Sequence, residues 1–169
     1  AKGCVSLINL VLTGFSVISA PTVPRSSKKF GTNFGFGIYN VEYASNEYTT
    51  AFKHGLGQTP ELVITKVTDG TSVWYVIADN NGSNDRLKLN TTDGFSTDPN
   101  FDVSSTTIKT GYSSGAYDMI AYAFTSKRGV SKVGNYTGAN SSVFVNTGFE
   151  PAFVMIKFAS GSIGYGGWF

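Results

Sequence analysis

The chain has 169 residues, enough for one domain with a buried core. Charged residues make up only 14%, aromatic residues another 14%, and strong helix formers are scarce, which excludes a disordered chain and a helical bundle and favours β structure. The net charge of +2, with no basic block longer than Lys28-Lys29 or Lys127-Arg128, supplies too little positive charge for nucleic acid to be an expected partner.

In chain order, Lys2 is followed by an apolar run from Cys4 to Ala20 that resembles a signal peptide. It is too short, and too interrupted by Ser6, Asn9, Thr13, Gly14 and Ser16, for a membrane span. It reads as two strands, Val5–Leu12 and Phe15–Ala20, about Thr13-Gly14. Pro21, Pro24, the polar Arg25–Lys29 stretch and a Gly/Phe run follow. Residues 1–36 are therefore expected to form an extended N-terminal arm and linker that anchors on a neighbouring subunit.

From residue 37 onward, short β runs alternate with Gly, Asn, Asp and Ser clusters, as in a β-sandwich of short antiparallel strands of jelly-roll or concanavalin-like type. The expected strands are Glu47–Phe52, Leu62–Val67, Val73–Ala78, Leu87–Asn90, Thr106–Lys109, Tyr117–Phe124, Ser142–Asn146, Phe153–Phe158 and Gly164–Phe169. Along Tyr117–Phe124 both faces are largely apolar, which predicts a central strand. Leu87 and Leu89 alternate with Arg86, Lys88 and Asn90, which predicts a half-exposed strand near an edge.

An internal echo organises this region. His54-Gly55-Leu56-Gly57-Gln58-Thr59-Pro60-Glu61-Leu62-Val63-Ile64-Thr65-Lys66 returns, two residues shorter, as Thr147-Gly148-Phe149-Glu150-Pro151-Ala152-Phe153-Val154-Met155-Ile156-Lys157. Upstream, Gly37-Ile38-Tyr39-Asn40 matches Gly134-Asn135-Tyr136-Thr137; downstream, Trp74-Tyr75 matches Trp168-Phe169. The spacing is that of a whole β domain rather than a solenoid coil. The expected organisation is an arm over 1–36, a first sandwich repeat over 37–133, and over 134–169 either the truncated start of a second repeat or strands completing the sandwich. Val63 and Val154 are both expected to be buried.

Six ordered motifs, H-G-L-G-x-x-P-E-L-V-I-x-K (54–66), V-W-Y-V (73–76), L-x-L-N (87–90), I-A-Y-x-F (120–124), S-K-x-G-x-Y-T-G (131–138) and T-G-F-x-P-A-F-V-M-I-K (147–157), resemble a β-rich domain of unknown function. That domain recurs, often in tandem, in virion structural and tail-fibre-like proteins of marine tailed bacteriophages. The chain departs from the pattern at Val76-Ile77-Ala78, where relatives run toward a Tyr-His pair, and at Ala123, where they carry Cys. The resemblance implies a component of a phage particle, localised to the virion surface, and transfers no catalytic residue.

Chemistry-bearing residues are few. Asp79, Asn81, Ser83 and Asp85 alternate as in a calcium loop but lack its bidentate Glu, so a hairpin loop turning at Asn81-Gly82 is the stronger reading. Asp93, Asp98 and Asp102 lie in a long polar loop with Phe95 and Phe101. Among the glutamates, Glu61 and Glu150 occupy equivalent turn positions, which argues against a catalytic carboxylate pair, and His54 aligns with Thr147. One Cys, Cys4, excludes an internal disulfide. No enzyme, metal or cofactor is expected. Trp74, Tyr75, Asp79, Asn81, Asp85, Asp93, Asp98 and Asp102 are the candidate ligand contacts. The expected function is a tail-fibre or other decorating component that mediates assembly and host attachment. Its expected partners are other virion proteins, copies of itself, trimeric in a fibre, and a host surface glycan or protein. A lectin-like receptor-binding module is the alternative, and a polysaccharide-degrading enzyme ranks third.

Overall fold

A computed structural model describes residues 2–8, 18–20, 27–29, 34–44, 50–78, 85–111 and 115–160. The expected strand Gly164–Phe169, together with Tyr112 and Trp168, lies outside the described residues. Fourteen strands follow in order: β1 (Lys2–Ile8), β2 (Ile18–Ala20), β3 (Ser27–Lys29), β4 (Phe36–Tyr43), β5 (Phe52–Lys53), β6 (Leu62–Val67), β7 (Tyr75–Ala78), β8 (Asp85–Lys88), β9 (Ser96–Thr97), β10 (Phe101–Val103), β11 (Thr107–Thr110), β12 (Tyr117–Phe124), β13 (Ser131–Thr137) and β14 (Val154–Ser160). The fold is all-β and sandwich-like. No helix among the described residues is long and apolar enough to cross a membrane.

The frame is a six-stranded sheet of order β4-β12-β6-β7-β8-β9. Its central strand, β12, is antiparallel to both neighbours, with Ala121 opposite Tyr39 on one side and Thr65 on the other. Strict alternation gives this sheet two apolar faces. On one, Tyr39, Val41, Val63, Met119, Ala121 and Ile77 pack against Phe52, Phe101 and Ile108, which come from a small sheet of order β10-β11-β5. On the other, Phe36, Leu62, Val76, Leu87 and Phe124 pack against Val133, Met155 and Ala159 of a three-stranded sheet of order β13-β1-β14. The result is three layers around two cores. β2 and β3 pair separately with each other.

Within the stretch expected to form an arm, residues 2–8 join a sheet of this same chain. β1 lies between β13 and β14, antiparallel to both, with Cys4 opposite Asn135 and Lys157. An anchoring arm would leave its backbone groups to a neighbouring molecule; here the edges of β13 and β14 satisfy them within the chain. The echo relates the two sheets. β13 corresponds to β4 and β14 to β6, and in the first copy these two are bridged by β12. Between β13 and β14 the middle position is held by β1.

The echo also holds at the turn. Nδ1 of His54 accepts the Leu56 N–H at 3.1 Å, and Oγ1 of Thr147 accepts the Phe149 N–H at 3.4 Å. The intervening Gly55 and Gly148 have φ of 66° and 77°, a region L side chains rarely adopt. Each copy ends with a lysine, Lys66 or Lys157, whose Nζ donates to the carbonyl of the next residue. Burial breaks the symmetry. Val63 is fully buried, but Val154 is 41% exposed, contrary to expectation: among the described residues, no counterpart of the small sheet that covers Val63 lies over Val154. For the same reason the expected strand Ser142–Asn146 has no ladder partner among the described residues.

Candidate functional site

The predicted ligand contacts do not form one site. Asp79 and Asn81 lie outside the described residues. Trp74 is half-buried and its backbone N–H donates to Oδ1 of Asn90 at 3.3 Å. The Tyr75 ring packs 5.1 Å from that of Phe101, and the Arg86 guanidinium lies 4.4 Å above Tyr75 and 5.1 Å from Phe101. This places a cation against two aromatic faces, a favourable contact when it is partly desolvated. Asp98 pairs with Nε of Arg86 at 3.0 Å, Asp85 accepts from Oγ1 of Thr97 at 2.8 Å, and Asp102 accepts the Val103 N–H at 2.9 Å. Each carboxylate is used by a different strand or turn. Among the described residues, no three His, Cys, Asp or Glu side chains group closely enough to hold a metal ion.

Asp93 has a different role, in the loop that joins two layers. Its carboxylate accepts from Nζ of Lys88 at 2.9 Å, and hydrogen bonds from Lys88 and Thr91 and the Lys88 charge hold its pKa below the usual carboxylate value. Its carbonyl accepts from Nζ of Lys157 at 2.8 Å. Burial lowers the Lys157 pKa, opposed by the charge of Asp93. Two residues on, the Phe95 N–H donates to the Ala159 carbonyl at 2.8 Å, and a Cβ on Gly94 would meet that oxygen at 2.5 Å. The loop is thus clamped to β14 at a closeness only glycine allows.

His54 is structural. It is fully buried, with Nδ1 accepting from Leu56 and Nε2 3.1 Å from the Ser104 carbonyl, so the neutral tautomer carries its proton on Nε2. Its own carbonyl accepts from the Tyr39 hydroxyl at 2.8 Å.

Two concave surfaces border the second copy. One groove of about 370 Å³ opens on the outer face of the three-stranded sheet and is lined by Tyr136, Val143, Val145, Pro151, Val154 and Ile156. Alternation sends Val154 and Ile156 to this face, and Met155, Lys157 and Ala159 to the inner core. Phe144, 91% exposed, and Phe153, 54% exposed, flank it. A second cleft of about 400 Å³ lies between the β12–β13 turn and the 147–149 turn, lined by Lys127, Arg128, Lys132, Thr147, Gly148 and Phe149. Among the described residues, three cations and no carboxylate line this cleft. Sequence reasoning missed both surfaces. The signals were there: residues 138–149 contain no charged residue, and three of the basic residues fall within 127–132.

Among known sequence families, residues 21–168 match a domain of unknown function, DUF7483. The chain belongs to that family. The DUF7483 match takes in both copies of the echo and begins after β1, so the middle strand of the three-stranded sheet comes from residues upstream of the match. No curated protein and no solved structure matches the chain.

Proposed function

We propose that this DUF7483 chain is a structural, non-enzymatic component of a tailed-bacteriophage particle, a fibre-like or decorating module that contacts other virion proteins and copies of itself. The observation that carries an assembly role is the exposure of large apolar side chains in the second copy, Val143, Phe144, Phe153 and Val154. Large exposed apolar surface favours an interaction role. The phage setting is supported by the six ordered motifs. The separate engagement of Asp85, Asp93, Asp98 and Asp102 supports a non-enzymatic reading, because glycoside hydrolysis needs two carboxylates facing one bond. Mass spectrometry of purified particles, followed by antibody labelling in electron micrographs, tests it. Absence of the chain from particles that are otherwise complete would end the proposal.

The cationic cleft favours a second reading, a receptor-binding module for acidic glycans of the host surface, since Lys127, Arg128 and Lys132 face one cavity beside Thr147. Saturable binding to sulfated or uronic-acid glycans that weakens with salt and is lost in Lys127→Ala/Arg128→Ala would support it. Binding that ignores those substitutions would remove it.

A further inference from the structure

We propose that His54 is an acid-sensitive latch: a proton taken up at Nδ1 releases the 54–57 turn from the β10–β11 turn and loosens the small sheet β10-β11-β5 from the first core. This device is independent of the assembly reading above.

One proton decides a whole set of contacts here. The His54 N–H donates to the Thr106 carbonyl at 3.2 Å and its carbonyl accepts from the Tyr39 hydroxyl at 2.8 Å. In the ring, Nδ1 accepts the Leu56 N–H and Nε2 reaches the Ser104 carbonyl, both at 3.1 Å. A single residue thus ties together β4, the 54–57 turn and the turn between β10 and β11, over a core that holds Phe52, Leu56, Phe101 and Ile108. Only a neutral imidazole makes both ring bonds, because Nδ1 must offer a lone pair. A proton there turns the acceptor into a donor aimed at the Leu56 N–H, and it places a cation in a fully buried site.

The titratable groups on the elements packed around this core are turned elsewhere. Alternation sends Phe52, Phe101 and Ile108 inward and Lys53, Asp102 and Lys109 to the opposite face of the small sheet, where Lys109 donates to the Pro99 carbonyl. In the six-stranded sheet, Glu42, Lys66 and Asp118 alternate to the face away from this core. Arg86, against Phe101, is itself a cation and is paired with Asp98. From β4 the Tyr39 hydroxyl faces His54, and burial raises its pKa above the usual phenol range, so it stays a neutral donor. The second copy supplies the same turn without the latch, since the Thr147 hydroxyl that accepts the Phe149 N–H does not titrate.

The test uses the 169-residue chain, in which His54 is the one histidine. An unfolded histidine takes up its proton near pH 6.5, whereas the closed turn gives up the Leu56 bond to do so. The unfolded state therefore binds the extra proton, and stability falls as pH drops below that value. In urea titrations, the unfolding constant of the wild-type chain relative to His54→Thr should rise about eightfold from pH 6 to pH 5. A change of less than about twofold would overturn the proposal. Amide exchange, expressed as protection factors, shows whether the release is local. The His54 and Leu56 amides should lose protection on acidification, while those of Thr68 and Thr125, which donate within the six-stranded frame, should keep it. Equal loss at all four, or none at Leu56, would overturn the latch. Where His54→Thr does not fold, the wild-type ring decides: its C–H resonances should stay in the neutral position for as long as the Leu56 amide is protected, and a ring that titrates near pH 6.5 with Leu56 still protected would refute the mechanism.

Discussion

Replacing His54 by Ala probes the turn that opens the first echo copy. The imidazole is fully buried and joins two separated backbone groups, accepting from the Leu56 N–H at 3.1 Å and reaching the Ser104 carbonyl at 3.1 Å. Ala would leave both groups without that partner. A buried polar group left unsatisfied costs about 1–3 kcal/mol, so the two together give about 2–6 kcal/mol before any cavity term. Against a total stability of about 5–15 kcal/mol, that is a large fraction. The second copy supplies the control. Thr stands at the equivalent position and makes the same contact to the residue two further on, so His54→Thr should recover the Leu56 bond and only that one, about half of the loss. Urea titrations of the three proteins at neutral pH measure this through the midpoint, with the slope checked for constancy. A His54→Ala variant within about 0.5 kcal/mol of wild type, the range of surface substitutions, would refute the assignment of His54 as a buried connector. A His54→Thr variant no better than Ala would refute the equivalence of the two turns.

Three further substitutions test other parts of the frame. Gly94→Ala places a Cβ 2.5 Å from the Ala159 carbonyl and should cost about 1–3 kcal/mol, with faster exchange of the Phe95 amide as the local sign that the loop has lifted from β14. Tyr43 has its pKa raised above the ordinary 10.0 by burial, opposed by its hydrogen bond to Thr110 and reinforced by the charge of Tyr117. A raised acid pKa means that the folded state holds its proton where the unfolded state releases it, so stability is lost as pH rises above about 10. Tyr43→Phe should therefore be nearly neutral at pH 7 and should shift alkaline unfolding upward, as followed by near-UV circular dichroism; an unchanged alkaline midpoint would count against the burial. Lys157 has the opposite sign. Its lowered pKa makes the unfolded state bind more protons below 10.5, so its contribution becomes more favourable as pH rises toward that value, and Lys157→Met should flatten this part of the stability profile. Finally, Val63→Asp should unfold the first core by burying an unpaired charge, at a cost of several kcal/mol, whereas Val154→Asp should be tolerated by the isolated chain because Val154 is 41% exposed.

Strands β6 and β12 are legible in the sequence to the residue, because period-two apolar patterning and β-branched or aromatic side chains agree along their whole lengths. β4 and β13 were harder to find: Gly37 and Asn40, and Gly134 and Asn135, lower the local preference, and pairing to β12 and β1 overrides it. The turn chemistry of the echo was visible in its glycines and lysines. Its unequal burial was not, since the difference between Val63 and Val154 depends on a covering layer contributed by residues 101–110, far from either in sequence. The acidic loop misled for a related reason. Asp93 and Asp98 are near in sequence, yet one turns to Lys88 and the other to Arg86, and spacing along a loop does not reveal where its side chains converge.

The position of β1 has a consequence for how the molecule assembles in time. The six-stranded sheet uses only residues 36–124, whereas the sheet β13-β1-β14 joins Lys2 to Thr137 and Ser160. Contacts of such long sequence separation bear the full entropy of loop closure before they are rewarded. During synthesis the first core can condense while β1 waits with both its edges unmatched, and it is secured only once residue 160 has emerged. The third layer is therefore expected to close last, and until it does, the face of the six-stranded sheet that carries Phe36, Leu62 and Phe124 would stand open to solvent and to other chains.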